Sequence, residues 1–560
     1  MPDGVGYLVL LLNGIQMASG ANATPDTDYQ TIKSRLFPAG ATTPQAANCA
    51  TLPNAPMQGA CGFTASHMAV ALATGVAQAN VLVSFHFSTQ ATRDTLRALG
   101  LTIFSPLAPA PAIAVNPMGT PLNNFNQPGV SFPTTASAFF GTVTVPYYSY
   151  IPTGVNDTQA LRTAWRAAAA PPAPLADPTN ERNLTRFNPI PEVRASKAIP
   201  LLVITPNNIA KPAGGWPVII FQHGITRDRT DALALAQTFT GAGWAIAAVD
   251  LPLHGVTNTA LPFYQAPNEQ TFNLDLVVNA TGASGPDSII DSTGTHFINL
   301  TFPLASRDNV RQGVVNLLAL TRALPALDID GDTVADIDPA RIAFVGQSLG
   351  SIVGTTFGAV LPIPDDLPTG VPTVNPLRVP TMVMSVPGGG LAELLRDSPT
   401  FGPRINAGLQ TQGLLPGTSL YAQFMRDVQT IIDSGDPLNF VTQTAARRSI
   451  YFQQMVGGGA VLPDQVIPNS ATQRLITAIT NNSLPGGASF PRVAPGGVLP
   501  GDGFVNFILG DHGSLLNPAV SPPATGEMQA EALVYTAGAP GPIPPGTIVA
   551  GALTTAPIQP

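Results

Sequence analysis

Ser348 stands in Gly346-Gln347-Ser348-Leu349-Gly350, the one place in the chain where glycines flank a serine at this spacing. Ile342-Ala343-Phe344-Val345 before it reads as an apolar strand, and SIVGTTFGAVL after it as a helix. A serine on so sharp a strand-to-helix turn projects its Oγ above a sheet, at a helix N-terminus. The turn needs glycines because side chains there would strike neighbouring strands. A lone hydroxyl is a weak nucleophile and needs a base, which in turn needs an orienting carboxylate. On such a turn the chain order is serine, acid, histidine. His512, in FVNFILGDHGSLL, is the one histidine C-terminal to Ser348 and is the predicted base.

Two aspartates compete for the acid. Asp464, in the loop after SIYFQQMV, is favoured, and Asp436, in DSGDPLNF, is its rival. Asp511 adjoins the histidine and is set aside on geometric grounds. Backbone N–H groups to hold an oxyanion are expected from Leu349 and from Ile225, in His223-Gly224-Ile225-Thr226 directly after the strand VIIFQ. His254 is read as structural or pocket-lining, and His223 as a hydrogen-bonded support, rather than as reactants.

From about Pro200 the chain alternates apolar strands with helices. WPVIIFQHG, WAIAAVDLPLHG, RIAFVGQSLG, VPTMVMSVPGGG and SIYFQQMVGGG are the strands; ALALAQTFTGAG and SRDNVRQGVVNLLALTRAL are the helices. That rhythm predicts a mostly parallel sheet with helices on both faces, and with the serine turn it predicts an α/β-hydrolase fold over residues 136–560. A cap is expected near 395–440. Residues 1–135 read as a separate β-rich domain with strands at GYLVLLLNG and NVLVSFHFSTQ, a helix over Thr64 to Ala77, and a linker or surface loop from Ser105 to Thr135. The opening imitates a signal peptide, yet carries Asp3 and no Lys or Arg. Tyr7 to Leu12 is therefore read as a buried strand of a domain that begins upstream. The tail after Gly538 reads as an irregular wrap or flexible end.

At 560 residues, with 44% hydrophobic and 10% charged residues, the chain can bury a large core. Its net charge of −8, with 25 Lys and Arg scattered singly, excludes nucleic-acid binding as an expectation. No run of 18 apolar residues is present to span a bilayer. Cys49 and Cys61 are expected to pair, which would suit an oxidising compartment; two buried thiols are the alternative. Asp328, Asp330, Asp332 and Asp336 alternate as in some calcium loops, although Thr333 and Pro339 occupy positions where a calcium loop has glycine and glutamate. Calcium there and a solvated acidic turn are both open, and no other cofactor is expected.

GWPVIIFQHGITRDR, GWAIAAVDLPLHG, SRDNVRQ and DIDGDTVADIDPARIAFVGQSLGSIVG resemble the bacterial extracellular lipase family, as do VPGGGLAELL, DSGDPLNF and GDHGSLL. The likeness covers most of residues 80–535. VLVSFHFSTQ resembles the closing strand of that family's first domain, the virulence-factor lipase domain. The resemblance implies hydrolysis of acyl esters in lipids, lysophospholipids included, by a secreted or surface-anchored protein in contact with lipid surfaces. An esterase or polyesterase acting on short or polymeric esters is a competing expectation, because pocket width decides acyl length. A binding or adhesion module that keeps the fold without catalysis is another, and the Ser348–Asp464–His512 order argues against it.

Overall fold

The computed structural model describes residues 4–125, 132–168, 182–363, 366, 379–481, 489–538 and 543–560. They form two compact units, divided between Thr92 and Arg93. In the first, β1 (Gly6–Leu12) and β2 (Val81–Ser88) make an antiparallel ribbon, joined by helices α1 (Thr27–Leu36) and α2 (Ala55–Ala73). Asp26 caps α1 by accepting from the Tyr29 N–H, and Asn54 caps α2 through Met57, with a proline in the first turn. The helix expected from Thr64 thus starts at Ala55. Cys49 and Cys61 are joined in a disulfide, within a small core of Ile32, Leu36, Leu52 and Ala65. The strand expected at Tyr7 to Leu12 is present but not buried, with Leu11 and Leu12 40% and 38% exposed. Side chains alternate along a strand, and Leu10 is the one that packs on Tyr29, Met68 and Val81.

The strands of the second unit are β3 (Ile113–Val115), β4 (Thr120–Pro121), β5 (Ala136–Tyr147), β6 (Ala195–Pro206), β7 (Trp216–Gln222) and β8 (Ala245–Val249). They continue with the short ribbon β9 (Val277–Val278) and β10 (Ala283–Ser284), then β11 (Ile337–Gln347), β12 (Thr381–Ser385), β13 (Ser449–Met455), β14 (Val498–Pro500), β15 (Gly503–Phe507) and β16 (Thr547–Val549). The main sheet has ten strands, in the order β15-β13-β12-β11-β7-β8-β6-β5-β3 with β4 also on β5. From β15 to β8 every pairing is parallel; β6, β5, β3 and β4 join antiparallel. Because β3 and β4 hydrogen-bond to β5, the stretch after Thr92 belongs to this unit. The domain boundary expected after residue 135 is corrected accordingly. The expected linker is partly edge strand, and its residues 126–131 lie outside the described residues.

The helices of this unit are α3 (Asp94–Ile103), α4 (Ala236–Gly241), α5 (Pro303–Ala323), α6 (Leu349–Val360), α7 (Leu391–Asp397), α8 (Gly402–Thr411), α9 (Ser419–Ile432), α10 (Val441–Arg447), α11 (Asn469–Thr480) and α12 (Pro522–Ala537). All seven residues of β7 are buried, and their alternation serves two cores. Val218 and Ile220 pack with α3, α5, α6, α10 and α11; Ile219 and Phe221 pack with α4 and α12. Each such side chain contributes about 1.5–3 kcal/mol by leaving water. A mostly parallel sheet with helices on both faces, whose strand β11 runs through Ser348 into α6, is the α/β-hydrolase fold. No helix among the described residues is long and apolar enough to cross a membrane.

Between β12 and β13, helices α7 to α9 share their own core of Ala392, Leu409, Tyr421, Met425, Val428 and Ile432. The tail is an ordered wrap where it is described, its residues 539–542 aside. β16 pairs with β14. The buried Glu527 carboxylate accepts from the N–H groups of Gly551, Ala552, Leu553 and Thr554 at 2.6–3.0 Å.

Candidate active site

Ser348 has φ +56° and ψ −118°, a conformation that non-glycine residues adopt only where surroundings hold it. Here the Ser348 N–H donates to the Ser385 carbonyl at 2.9 Å, and the Ser351 hydroxyl donates to the Gly346 and Ser385 carbonyls at 2.7 and 2.8 Å. A Cβ at Gly346 would lie 2.8 Å from the Gly350 backbone, and one at Gly350 would collide with the Gln222 carbonyl. Both glycines are therefore required by close approach.

His512 lies in the loop after β15, and its Nδ1–H donates to Asp464 Oδ2 at 2.7 Å. Asp464 Oδ1 accepts from Val466 N–H and Ile467 N–H at 2.8 and 2.9 Å. These bonds fix the carboxylate and leave one oxygen for the imidazole. Asp464 is buried, whereas the His512 side chain is 18% exposed and borders an open cleft with Ser348. The Gln347 side-chain amide donates to the His512 carbonyl at 2.6 Å, tying the histidine loop to the strand that carries the serine. Nothing in the sequence pattern pointed to that bond, since Gln347 occupies an unconstrained position of the motif.

Asp436, the rival acid, is elsewhere. Its oxygens accept from the N–H groups of Gly390, Leu391 and Leu438 and from the Gln429 amide at 2.6–3.0 Å. Asp511 accepts from Gly513 N–H and the Ser514 hydroxyl, both at 3.0 Å. Gly224 borders the serine with little room for a side chain: a Cβ there would stand 3.2 Å from Ser348 Cβ. Among the described residues neither the Ile225 N–H nor the Leu349 N–H is given to an acceptor in the chain, and both residues border the cavities at Ser348.

Two cavities meet at Ser348. One is lined almost wholly by apolar groups, among them Ile225, Phe297, Leu300, Val310, Ile352, Leu394, Phe401, Val428 and Ile432. The other is open and carries Thr230, Gln237, Arg404, Asn517 and Gln529 beside His512. Helices α7 to α9 stand where a cap was expected: Leu394, Val428 and Ile432 line the apolar cavity, and Val428 and Ile432 also join Leu409, Tyr421 and Met425 in the helices' own core. The contribution of residues 297–300 was not foreseen; the apolar run in THFINLTF was the available signal.

The acidic loop departs from expectation at one residue. Asp328, Asp330 and Asp332 each bring one carboxylate oxygen within 4.8 Å of the others. Asp336 does not join them. It is buried, accepts from Ile329 and Asp330 N–H at 2.5 and 3.2 Å, and pairs with the Lys211 ammonium. Lys211 also reaches Asp330 at 3.0 Å and Asp332 at 4.0 Å, so a lysine already supplies positive charge here. An ion would be held by Asp328, Asp330 and Asp332 alone.

No family profile matches the chain, and no curated protein does. Solved structures with a similar chain path include an acetyl xylan esterase from Paenibacillus sp. R4, 14% identical at a TM-score of 0.36, covering 75% of this chain and 87% of that one. Acetyl xylan esterase 1 from Thermoanaerobacterium sp. JW/SL YS485 is 14% identical at 0.35, covering 69% and 83%. Thermogutta terrifontis esterase 2 is 12% identical at 0.33, covering 61% and 91%.

Proposed function

We propose that this protein is a serine ester hydrolase that cleaves carboxylic esters with apolar acyl groups, as in lipids. The observation that carries the reading is the 2.7 Å bond from His512 to Asp464, with His512 and Ser348 bordering one cleft. His512 Nε2 takes the hydroxyl proton as Ser348 Oγ bonds to the acyl carbon, and Asp464 stabilises the imidazolium. The carbonyl oxygen, now an oxyanion, is held by the N–H groups of Ile225 and Leu349. Collapse breaks the bond to the alcohol oxygen, which receives the proton from His512. Water then attacks the acyl-serine by the same route, releasing acid and restoring Ser348.

The apolar cavity suits the acyl arm and the open, polar cleft suits the alcohol. The resemblance to extracellular lipases points the same way, and the Cys49–Cys61 disulfide suits an exported protein. Hydrolysis rates for p-nitrophenyl esters from acetate to octanoate test the reading. Burial of each methylene contributes about 0.8 kcal/mol, so kcat/KM is expected to rise about fourfold per CH₂ until the cavity is filled. A profile that falls steadily from acetate would assign a short-chain esterase instead.

A further inference from the structure

Two histidines outside the Ser348–Asp464–His512 set cross-tie the loop that carries Ile225. His223 and His254 are fully buried, with ring centroids 5.1 Å apart. The His223 Nδ1–H donates to the Gly224 carbonyl at 2.8 Å, and its Nε2 accepts from the Leu251 N–H at 3.1 Å, in the loop after β8. His254, in that loop, does the converse. Its Nδ1–H donates to the Pro252 carbonyl at 2.9 Å, and its Nε2 accepts from the Thr226 N–H at 3.3 Å. A nitrogen that accepts an N–H carries no proton, so these bonds select the neutral Nδ1–H tautomer of both rings. Burial acts in the same direction, lowering the pKa of each. The Asp250 carboxylate is 3.8 Å from His223 Nε2, but its oxygens are engaged by the Arg229 backbone N–H at 2.7 Å and by the Arg229 guanidinium.

The residue tied by His254 is the one after Ile225. Thr226 has φ +61°, where a non-glycine residue stays only if neighbours hold it. On the other side of Ile225, Gly224 leaves little room beside Ser348: a Cβ there would stand 3.2 Å from Ser348 Cβ. The Ile225 N–H thus lies between a glycine that borders the serine closely and a residue hydrogen-bonded to His254. We propose that His254 is a positioning residue for the oxyanion hole: by accepting the Thr226 N–H, it holds the Ile225 N–H toward the oxygen that gains charge during attack. This rests on the ester hydrolase reading above. His254 also packs edge-on against Phe297, centroids 5.2 Å apart, and Phe297 lines the apolar cavity. One ring therefore anchors both the oxyanion loop and the acyl wall.

The test compares wild type with His254→Leu and His254→Gln by kcat and KM on p-nitrophenyl butyrate and by thermal melting. Leucine removes the acceptor. Oxyanion contacts form in the transition state rather than in the bound substrate, so kcat is expected to fall about 30- to 300-fold with KM within about twofold. The glutamine amide oxygen can accept the Thr226 N–H, and that variant is expected to keep kcat within about tenfold of wild type. His254→Met carries the same comparison if the leucine variant does not fold. The proposal is overturned if a folded variant without an acceptor keeps kcat within about threefold, if the loss falls on KM, or if glutamine and leucine lose kcat equally. A wild-type protein that hydrolyses no ester would instead defeat the reading beneath it.

Discussion

Two loops of the second unit each carry a buried aspartate, and they differ in what the carboxylate faces. Asp436 gives its oxygens to three backbone N–H groups and the Gln429 amide. Asp464 gives one oxygen to two backbone N–H groups and the other to His512. Both are held rigidly, so burial and bond count do not separate them. What separates them is one partner that can take and return a proton. A carboxylate satisfied wholly by amides ties loops together, here the start of α7 to the end of α9. One that spends an oxygen on an imidazole sets that ring's tautomer and stabilises its charged form.

The comparison breaks if the two aspartates respond alike to Asp→Asn. Asp464→Asn is expected to lower kcat by about 10³–10⁴-fold, because the ring loses its orienting charge, while the melting temperature changes little. Asp436→Asn should leave specific activity within a few-fold but lower stability by about 1–3 kcal/mol in denaturant unfolding, since the new amide cannot accept all four bonds. The acidic loop sharpens the contrast at the small end. With Lys211 already placed among Asp330, Asp332 and Asp336, excess chelator is expected to shift the melting temperature by less than about 1 °C. A larger fall, reversed by calcium, would assign an ion to Asp328, Asp330 and Asp332.

Much of this site was legible in the sequence because its members carry local constraints. The elbow shows itself through two glycines and a strand-to-helix change around Ser348, and His512 through being the one histidine after it. Asp464 was preferred to Asp436 for its place after a core strand, and only the fold reveals that its carboxylate meets His512. The boundary at Thr92 was not legible, because β3 and β4 are three and two residues long and too short for alternation to emerge. Asp336 reads like its neighbours in the acidic run; only the fold turns it inward to Lys211. The apolar cavity draws on residues from Ile225 to Ile467, so no local period could announce it. The His223–His254 cross-tie likewise joins two loops that follow different strands, and the sequence pattern set both rings only in supporting roles.

The central claim is that Ser348 is the nucleophile. Treating the native protein with a fluorophosphonate, then digesting it for mass spectrometry, is expected to place a single adduct on Ser348. The folded Ser348→Ala protein is expected to take no label and to lose ester turnover by about 10⁴-fold or more. Label on another residue, or near-full turnover in the alanine variant at an unchanged melting temperature, would contradict it.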